Sequence, residues 1–382
     1  MTEAPSLIAV SQTDEPQLSI EPLVPDYGER STASIFPALT WQTPTELIPD
    51  AVVGADRVVV FVIDSLGWLQ LKERPELAPT LSAMAGGEAL TSAPSTTATA
   101  LTTISTGAPP GEHGIVGYRF PVVGGVMNAL RWSTARGDHR SIVLPGDVQT
   151  MPPFAGGSWH VVGDKTFIGS GFTEAYLGQD VPYVGTWHPS SLVAGVRDLL
   201  DQGVNRVYTY YDGLDHVAHV HGFTGTYFDL ELAFCDWLVT RLIDALPSGT
   251  ALVITADHGQ VEAPQIVPVS PECVALTTMR SGEARFRWLH TKAGATEELA
   301  AAASEAHGDQ AWIRTREQVI DEGWFGANVS PEAQSRLGDV ALVAHAPMGF
   351  DDPGEPHTDR LVGRHGSLTA AEMLVPVLHA VV

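Results

Sequence analysis

One stretch of the sequence decides the fold: Arg57-Val-Val-Val-Phe-Val-Ile-Asp64. A continuous run of β-branched and aromatic residues, without polar alternation, is typical of a strand buried on both faces in a parallel sheet. Residues 203–212 and 250–257 repeat the pattern, and each run ends in an aspartate. Helical periodicity over residues 190–201 and 228–246 separates the runs. The sequence therefore predicts an α/β fold, a doubly wound and mostly parallel sheet flanked by helices.

Length and charge limit the possible partners. The chain has 382 residues, 44% of them apolar, which is enough for a large globular domain with insertions and excludes a disordered chain. Its 21 Lys and Arg oppose 45 Asp and Glu, for a net charge of −24. This charge repels a phosphate polymer, so a nucleic acid partner is excluded. A small phosphorylated substrate is allowed where metal ions or local cations offset the field.

Targeting signals and cysteines add little. Residues 1–25 lack a basic segment followed by an apolar run, and no run of about 18 apolar residues occurs elsewhere. We therefore expect a cytoplasmic protein without a membrane partner. Cys235 and Cys273 can form at most one disulfide, so they leave the redox compartment open. The oligomeric state cannot be read from the sequence.

Three segments interrupt the predicted strand and helix alternation. Residues 1–50 are polar and rich in proline, and we expect an extended arm lying over the main domain, residues 51–382. Residues 120–157 are rich in glycine and proline, which predicts a loop. Residues 262–348 contain strand and helix patterns of their own, so we expect an inserted cap subdomain there.

Aspartates follow each of the three predicted strands, at Asp64, Asp212 and Asp257. An aspartate after a strand is often only a helix cap or a turn residue. In open α/β sheets, however, ligands bind outside the carboxyl ends of the strands. Because two of these aspartates have histidines nearby, the three together indicate a metal site.

Histidines cluster after the second strand. Asp212 and His216 are four residues apart, so both can reach one cation from the first turn of a helix. The same segment contains further candidate ligands at Asp215, His219 and His221, and the alternative is an exposed histidine-rich loop.

Two glycine-flanked histidines complete the candidate ligands. In Asp257-His258-Gly259 both side chains can reach one metal if the chain turns at the glycine. His365 lies in Gly363-Arg-His-Gly366, where the alternative is an ordinary buried or exposed histidine.

A threonine-rich turn supplies a candidate nucleophile. Pro94-Ser-Thr-Thr97 precedes a predicted helix over 97–106, with Gly107 as its C-cap. A threonine at a helix N-terminus lies beside unpaired N–H groups, an arrangement suited to an anionic phosphoryl group. The alternative is an ordinary capping segment.

In chain order, these motifs resemble the alkaline phosphatase superfamily. The segment Thr106-Gly-Ala-Pro-Pro-Gly-Glu-His113-Gly-Ile-Val-Gly117 contributes to the match, which is closest to the nucleotide pyrophosphatase/phosphodiesterase branch and runs from about residue 58 to 378. The resemblance implies an alkaline phosphatase-like α/β fold. It also implies a hydrolase that uses two zinc ions to cleave phosphodiester or pyrophosphate bonds of small, nucleotide-like substrates.

The resemblance also implies roles for individual residues. One zinc would be bound by Asp212, His216 and His365, and the other by Asp64, Asp257 and His258 with the hydroxyl of Thr97. Thr97 would be the nucleophile, with Thr96 as the competing assignment. Carboxylate and imidazole ligands suit zinc, although other divalent metals are possible. Two such cations can bind the attacking and leaving oxygens of an in-line displacement.

One position departs from the family pattern. Where the phosphodiesterase branch has an asparagine that binds a phosphate oxygen, this chain has Tyr118. We expect Tyr118 and the adjacent Arg119 to bind substrate, and the alternative for Arg119 is a solvated charge. No Lys or Arg lies between Pro75 and Tyr118, which favours diesters over monoesters because a monoester presents one more anionic oxygen.

Three alternatives remain open. The chain could be a phosphomonoesterase or a phosphonate hydrolase of the same superfamily, or a metal-binding homologue without activity. Sulfatases are disfavoured because neither cysteine is near the turn, and mutases because they use serine. Trp132, Trp159 and Phe167 could stack on a base, although packing in the core is the simpler expectation.

Overall fold

The predicted strands form the centre of one large sheet. The computed structural model describes residues 21–355 and 360–382. Strand Arg57–Ile63 lies between Arg206–Tyr211 and Thr250–Thr255 and pairs in parallel with both. Residues 58 to 63 are buried, as a strand covered on both faces requires. The sequence prediction of this parallel core is confirmed.

Seven strands make up the sheet. Six run in one direction, and Leu374–Val381 is antiparallel to both of its neighbours. The order across the sheet is Ala85–Leu90, Leu374–Val381, Thr250–Thr255, Arg57–Ile63, Arg206–Tyr211, His160–Asp164 and Tyr183–Thr186.

Helices flank the sheet, and the long ones lie where periodicity predicts them. Ser190–Asp201 and Thr97–Thr106 have the predicted bounds, and the third helix is Thr226–Ala245. In that helix Phe228, Leu232 and Cys235 are buried at spacings of three and four residues, which places them on one apolar face. Shorter helices are Asp50–Val53, Trp68–Lys72, Pro79–Ala83, Pro110–His113, Pro145–Val148, Gly171–Leu177, Gly213–His221 and Ala370–Met373.

The segment predicted as a loop contains a small antiparallel sheet. Its strands are Arg119–Val122, Gly125–Asn128, Ser133–Thr134 and Gly137–Asp138. The loop prediction is wrong because glycines also occur in the tight turns of hairpins. Gly124 and Gly125, with φ of 97° and 144°, lie where the first two of these strands meet. Trp132 and Trp159 are buried in the main core, so the simpler expectation for them is confirmed.

Residues 262–348, called the cap below, form a second four-stranded sheet. Its strand order is Thr277–Glu283, Phe286–Thr291, Val340–Ala344 and Ala311–Thr315, all antiparallel. Side chains alternate between faces. One face, including Trp288 and Val343, joins the main core, whereas the other, including Leu289 and Leu342, forms a separate core. The cap helices are Pro271–Leu276, Thr296–His307, Arg316–Asp321 and Pro331–Gln334.

Two further strand pairs are short and lie near the ends of the cap segment. Val261–Glu262 pairs with Gly363–Arg364, and Gln265–Val267 pairs with Met348–Phe350.

The N-terminal segment differs from the expected extended arm. Its first 20 residues lie outside the described part of the chain. Residues Ile35–Trp41 form a helix, after a short 3-10 turn at Thr32–Ser34. Phe36 and Leu39 are buried, and the Phe36 ring packs edge-on against Trp159 at 4.8 Å. Helix formation here follows from burial of these apolar side chains.

Among the described residues, no helix is both long and apolar enough to cross a membrane.

Candidate active site

Strand direction brings the candidate residues to one edge of the sheet. Asp64 and Asp257 follow the carboxyl ends of parallel strands. Ala85–Leu90 runs the same way, so the chain leaving it reaches Thr97 at the same edge. Leu374–Val381 runs the opposite way, so the residues before it, including His365, also lie there.

The first group of side chains surrounds the Nε2 atom of His258. The Thr97 hydroxyl lies 3.1 Å from this nitrogen. Asp64 Oδ1 and Asp257 Oδ2 each lie 3.5 Å from it. Thr97 is the first residue of its helix, so its hydroxyl is next to the unpaired N–H groups of the first turn.

One oxygen of each carboxylate in this group lacks a hydrogen-bond donor among the described residues. Asp64 Oδ1 and Asp257 Oδ2 are buried without a hydrogen-bond partner among the described residues. Tyr210 donates to the other oxygen of Asp64, and the Ser65 N–H donates to Asp257 Oδ1. Burial raises the pKa of both carboxyls, that of Asp64 well above its usual range, and neighbouring carboxylates add to the effect. A bound cation would satisfy both orphaned oxygens.

A second group lies beside the first. Asp215, His219 and His365 each offer one ligand atom, and these atoms lie within 4.8 Å of one another. Asp215 Oδ2 is 3.4 Å from His219 Nε2, and Asp215 Oδ1 is 4.0 Å from His365 Nε2. Asp215 also forms such a group with Asp64 and His258. The two groups are therefore adjacent and share one carboxylate.

Backbone carbonyls orient all three histidines. His219 Nδ1 lies 2.8 Å from the carbonyl of Gly363, His258 Nδ1 3.1 Å from that of Gly259, and His365 Nδ1 3.0 Å from that of Ser95. A carbonyl only accepts, so each Nδ1 carries the hydrogen, and each Nε2 of the neutral ring presents a lone pair to the carboxylates. Metal-binding histidines are typically held in this way.

Asp212 and His216 lie outside both groups. His216 Nδ1 is 3.6 Å from Asp212 Oδ2, and 78% of the His216 side chain is exposed. Leu214 and Ala218 define the buried face of the Gly213–His221 helix. Successive residues turn by about 100°, which directs residue 216 away from that face.

The sequence contained the signal that separates the two pairs. Asp215 and His219 directly follow the buried Leu214 and Ala218, and they have the same four-residue spacing as Asp212 and His216. Placing the apolar residues of this helix against the sheet would have favoured Asp215 and His219.

An open cleft of about 430 Å³ passes over these groups. Tyr118, which is predicted to bind substrate, lies in this cleft, and its pKa is raised by burial and by the charge of Glu355. The residues lining the cleft are Thr96, Thr97, Tyr118, Asn128, Leu130, Arg131, Asp215, His216, His219, Glu283, Ala284, Glu355, Leu361, Arg364 and His365.

Arg119 occupies neither of its expected environments. Its guanidinium is buried and pairs with Asp352 at 2.6 Å, with Glu355 at 3.8 Å. Arg119 thereby joins the small antiparallel sheet to the chain that follows the cap, and it does not line the cleft. Phe167 also lies elsewhere, with its ring 6.1 Å from that of Tyr210.

The family comparison agrees with the fold. The sequence model of the type I phosphodiesterase/nucleotide pyrophosphatase family matches residues 58–368. The chain therefore belongs to this family, which is within the alkaline phosphatase superfamily. No curated protein is significantly similar to it in sequence.

Solved structures of low sequence identity share the fold. Murine ectonucleotide pyrophosphatase/phosphodiesterase 5 is 16% identical, with a TM-score of 0.64 over 84% of this chain and 87% of that chain. The human protein is 18% identical, with the same TM-score over 85% and 87%. An inactive threonine-to-alanine variant of the murine protein, in complex with AMP, matches equally well.

Proposed function

We propose that this protein is a two-zinc phosphodiesterase that cleaves phosphodiester or pyrophosphate bonds of small, nucleotide-like substrates, with Thr97 as the nucleophile. The observation that carries the proposal is the Thr97 hydroxyl, which lies at a helix N-terminus, 3.1 Å from His258 Nε2, and in one cleft with Asp215, His219 and His365. An isolated threonine hydroxyl is too weak a nucleophile to attack phosphorus, whereas this environment activates it.

The donor sets fit two zinc ions. Asp64, Asp257, His258 and the Thr97 oxygen would hold one ion, and Asp215, His219 and His365 the other, in place of the predicted Asp212 and His216. Zinc accepts these carboxylate and imidazole ligands, and other divalent metals remain possible. When bound, the ions supply Lewis acidity that lowers the pKa of the attacking hydroxyl and stabilises charge on the phosphate and leaving oxygens.

The protein's own residues then account for the remaining steps. Thr97 Oγ1 loses its proton to solvent and forms a bond to phosphorus as the bond from phosphorus to the leaving oxygen breaks, and the leaving oxygen takes up a proton from water. A water molecule then attacks phosphorus, the Oγ1–P bond breaks, and the threonine hydroxyl and the phosphate product are released. The unpaired N–H groups at the start of the Thr97–Thr106 helix would donate to the phosphoryl oxygens. Thr96 is the weaker candidate because its side chain hydrogen-bonds to Glu283.

The relatives support the proposal. Both solved proteins are named as nucleotide pyrophosphatases and phosphodiesterases, and the inactive murine variant, which lacks a threonine, is in complex with AMP. The cytoplasmic location stays a prediction, and both relatives carry the prefix ecto- in their names.

A preference for diesters follows from the scarcity of cations. Two arginines line the cleft: Arg131 is exposed, and the guanidinium of Arg364 donates to the carbonyls of Ala263 and Leu361. Arg119 is held by Asp352. A monoester dianion needs more donors than a diester, so we expect a higher kcat/KM for nitrophenyl diesters than for nitrophenyl phosphate.

Turnover with matched substrates tests the function. A nitrophenyl diester, nitrophenyl phosphate, ATP and a dinucleotide pyrophosphate would be assayed with added zinc and with excess chelator. We expect diester or pyrophosphate cleavage that requires metal. Faster cleavage of the monoester would identify a phosphatase, and no turnover of any substrate would identify an inactive homologue.

A further inference from the structure

Glu283 reaches the reacting end of the cleft from the cap. It is the last residue of strand Thr277–Glu283, and it lines the cleft together with Thr97 and His365. Its carboxyl hydrogen-bonds to the Thr96 side chain. A Cβ at Gly366 would lie 2.7 Å from Glu283 Cδ, so the carboxyl packs directly on the backbone next to His365.

This carboxyl is only partly satisfied. The side chain is buried, at 6% exposure, and Oε1 has no hydrogen-bond partner among the described residues. Burial raises its pKa to about 8. An unsatisfied buried polar atom is costly, and it is retained where a ligand completes it.

Two neighbouring carboxylates, unlike that of Glu283, are paired with arginines. Glu355, which also lines the cleft, pairs with Arg287 at 2.7 Å, and Arg285 binds both oxygens of Glu372 at 2.7 and 2.8 Å. The positive charge of Arg287 also lowers the pKa of Glu283, but its guanidinium contacts Asp352 and Glu355. Glu283 therefore keeps an unpaired oxygen, whereas the other two carboxylates are paired with arginines.

The ionised carboxyl beside Thr97 is unsuited to phosphate oxygens, and an ammonium group on the substrate lowers its pKa from about 8, so that the carboxyl ionises when the two meet. Two acceptors in contact repel each other, and the charge of Glu355 increases the negative field at both Glu283 and Tyr118. A hydroxyl or an ammonium group on the substrate would instead satisfy Oε1, because both donate hydrogen bonds.

We propose that Glu283 is a specificity-determining residue that binds a hydroxyl or ammonium group on the ester substituent, so that the preferred substrates are monoanionic phosphodiesters whose alcohol carries such a donor near the phosphate. This proposal rests on the phosphodiesterase activity proposed above. The donor lies a few bonds from phosphorus because Glu283 contacts the residue adjacent to Thr97.

Four diesters with one leaving group test the proposal. Each is a nitrophenyl phosphate carrying an ethyl, 2-hydroxyethyl, 2-aminoethyl or 2-(trimethylammonio)ethyl ester. For the wild-type enzyme we expect kcat/KM about 10- to 100-fold higher for the hydroxyethyl and aminoethyl esters than for the ethyl ester, the gain of one hydrogen bond to a charged group. The trimethylammonio ester carries charge without a donor and should gain less.

Matched variants assign the effect to Glu283. Glu283→Gln should remove most of the preference, measured as the ratio of kcat/KM for the aminoethyl ester to that for the ethyl ester. Glu355→Gln removes the same charge from the same cleft and should leave this ratio unchanged. The melting temperature of each variant checks the fold, since an amide has nearly the size and shape of the carboxyl it replaces.

Several outcomes would overturn the assignment. Equal kcat/KM for all four esters would do so while leaving the proposed function intact, since the ethyl ester would still be cleaved. A gain for the trimethylammonio ester as large as that for the aminoethyl ester would overturn it, and so would an effect of Glu355→Gln as large as that of Glu283→Gln. Either result would show that the negative charge of the cleft attracts the substrate and that no hydrogen bond to Glu283 is made. Failure to cleave any of the esters would remove the proposed function, and this inference with it.

Discussion

Three histidines of the candidate metal site are held in place by hydrogen bonds from Nδ1, the ring nitrogen that does not face the other ligand groups. His219, His258 and His365 each donate Nδ1–H to a backbone carbonyl, which leaves Nε2 for a ligand. Because the Nδ1 atom of His216 faces the Asp212 carboxylate and this side chain is largely exposed, the two Asp–His pairs of this region should respond differently to mutation.

Substitution of each pair tests this difference. Asp215→Asn or His219→Asn should lower the affinity for one zinc by at least about 100-fold and reduce diester turnover by a similar factor. Asp212→Asn and His216→Asn are the matched controls and should retain both metal ions. Metal content after dialysis and kcat/KM check the result, and loss of zinc only in the control variants would restore the original assignment.

The nucleophile is tested at the adjacent threonines. Thr97→Ala should reduce turnover by several powers of ten, because the nucleophile and the ions act as a unit, and leave most of the metal bound. Thr96→Ala keeps the hydroxyl that faces His258, so its loss should be much smaller. A larger effect of Thr96→Ala would move the nucleophile by one residue.

Contacts between elements carry the stability of the site. The helix that begins at Thr97 is tied to the following Pro110–His113 turn by His113. Its Nδ1 accepts from the Ile115 N–H at 3.1 Å, so Nε2–H donates to Thr103 Oγ1 at 3.0 Å. Burial lowers the pKa of this histidine from 6.5 to about 3.

This histidine should make the fold sensitive to acid. Its stabilising contribution is complete above pH 6.5, where the unfolded chain is also neutral, and is lost as pH falls toward 3. Between pH 7.5 and 5.0 the loss amounts to about 2 kcal/mol in the free energy of unfolding. Urea unfolding of the chelator-treated protein at both pH values should show this loss. In His113→Asn, whose amide oxygen can still accept from the Ile115 N–H, the loss between the two pH values should be smaller by about 2 kcal/mol. An equal loss in His113→Asn and in the wild-type protein would contradict the prediction.

The ion pair between Arg119 and Asp352 joins two other elements. Arg119→Met leaves the buried Asp352 carboxylate with the Gly354 N–H and with Arg287, at 3.5 Å, as the cation it contacts among the described residues, which should lower the free energy of unfolding by about 3 kcal/mol. The KM for a nitrophenyl diester should change less than about tenfold. Arg131→Met, an exposed arginine after the second strand of the same small sheet, is the control and should leave stability within about 0.5 kcal/mol. A large rise in KM without destabilisation in Arg119→Met would return Arg119 to the phosphate.

Across the whole molecule, metal binding and folding are linked. The cleft joins loops from several strands of the main sheet, and its carboxylates repel one another when no cation is bound. Removing the metal with a chelator should therefore lower the melting temperature by about 5 to 10 °C, and added zinc should restore it. Calorimetry of the same sample with and without chelator measures the shift. An unchanged melting temperature would show that no cation is bound to these residues.

The sequence by itself determined the parallel core and the helix that carries Thr97. These elements depend on local patterns, the apolar run of residues 58 to 63 and the Pro94 and Gly107 boundaries, which act whatever surrounds them. The aspartates at the strand ends followed because parallel strands place their carboxyl ends at one edge.

Which side chains come together in the site depends on tertiary packing. Asp212–His216 and Asp215–His219 have the same spacing, and the packing of Leu214 and Ala218 on the core selects the second pair. Arg119 pairs with Asp352, and Glu283 reaches Thr96 from the cap. These contacts join residues that are 233 and 187 positions apart, and no local pattern specifies them, because the register of two distant elements is fixed by packing of the whole core.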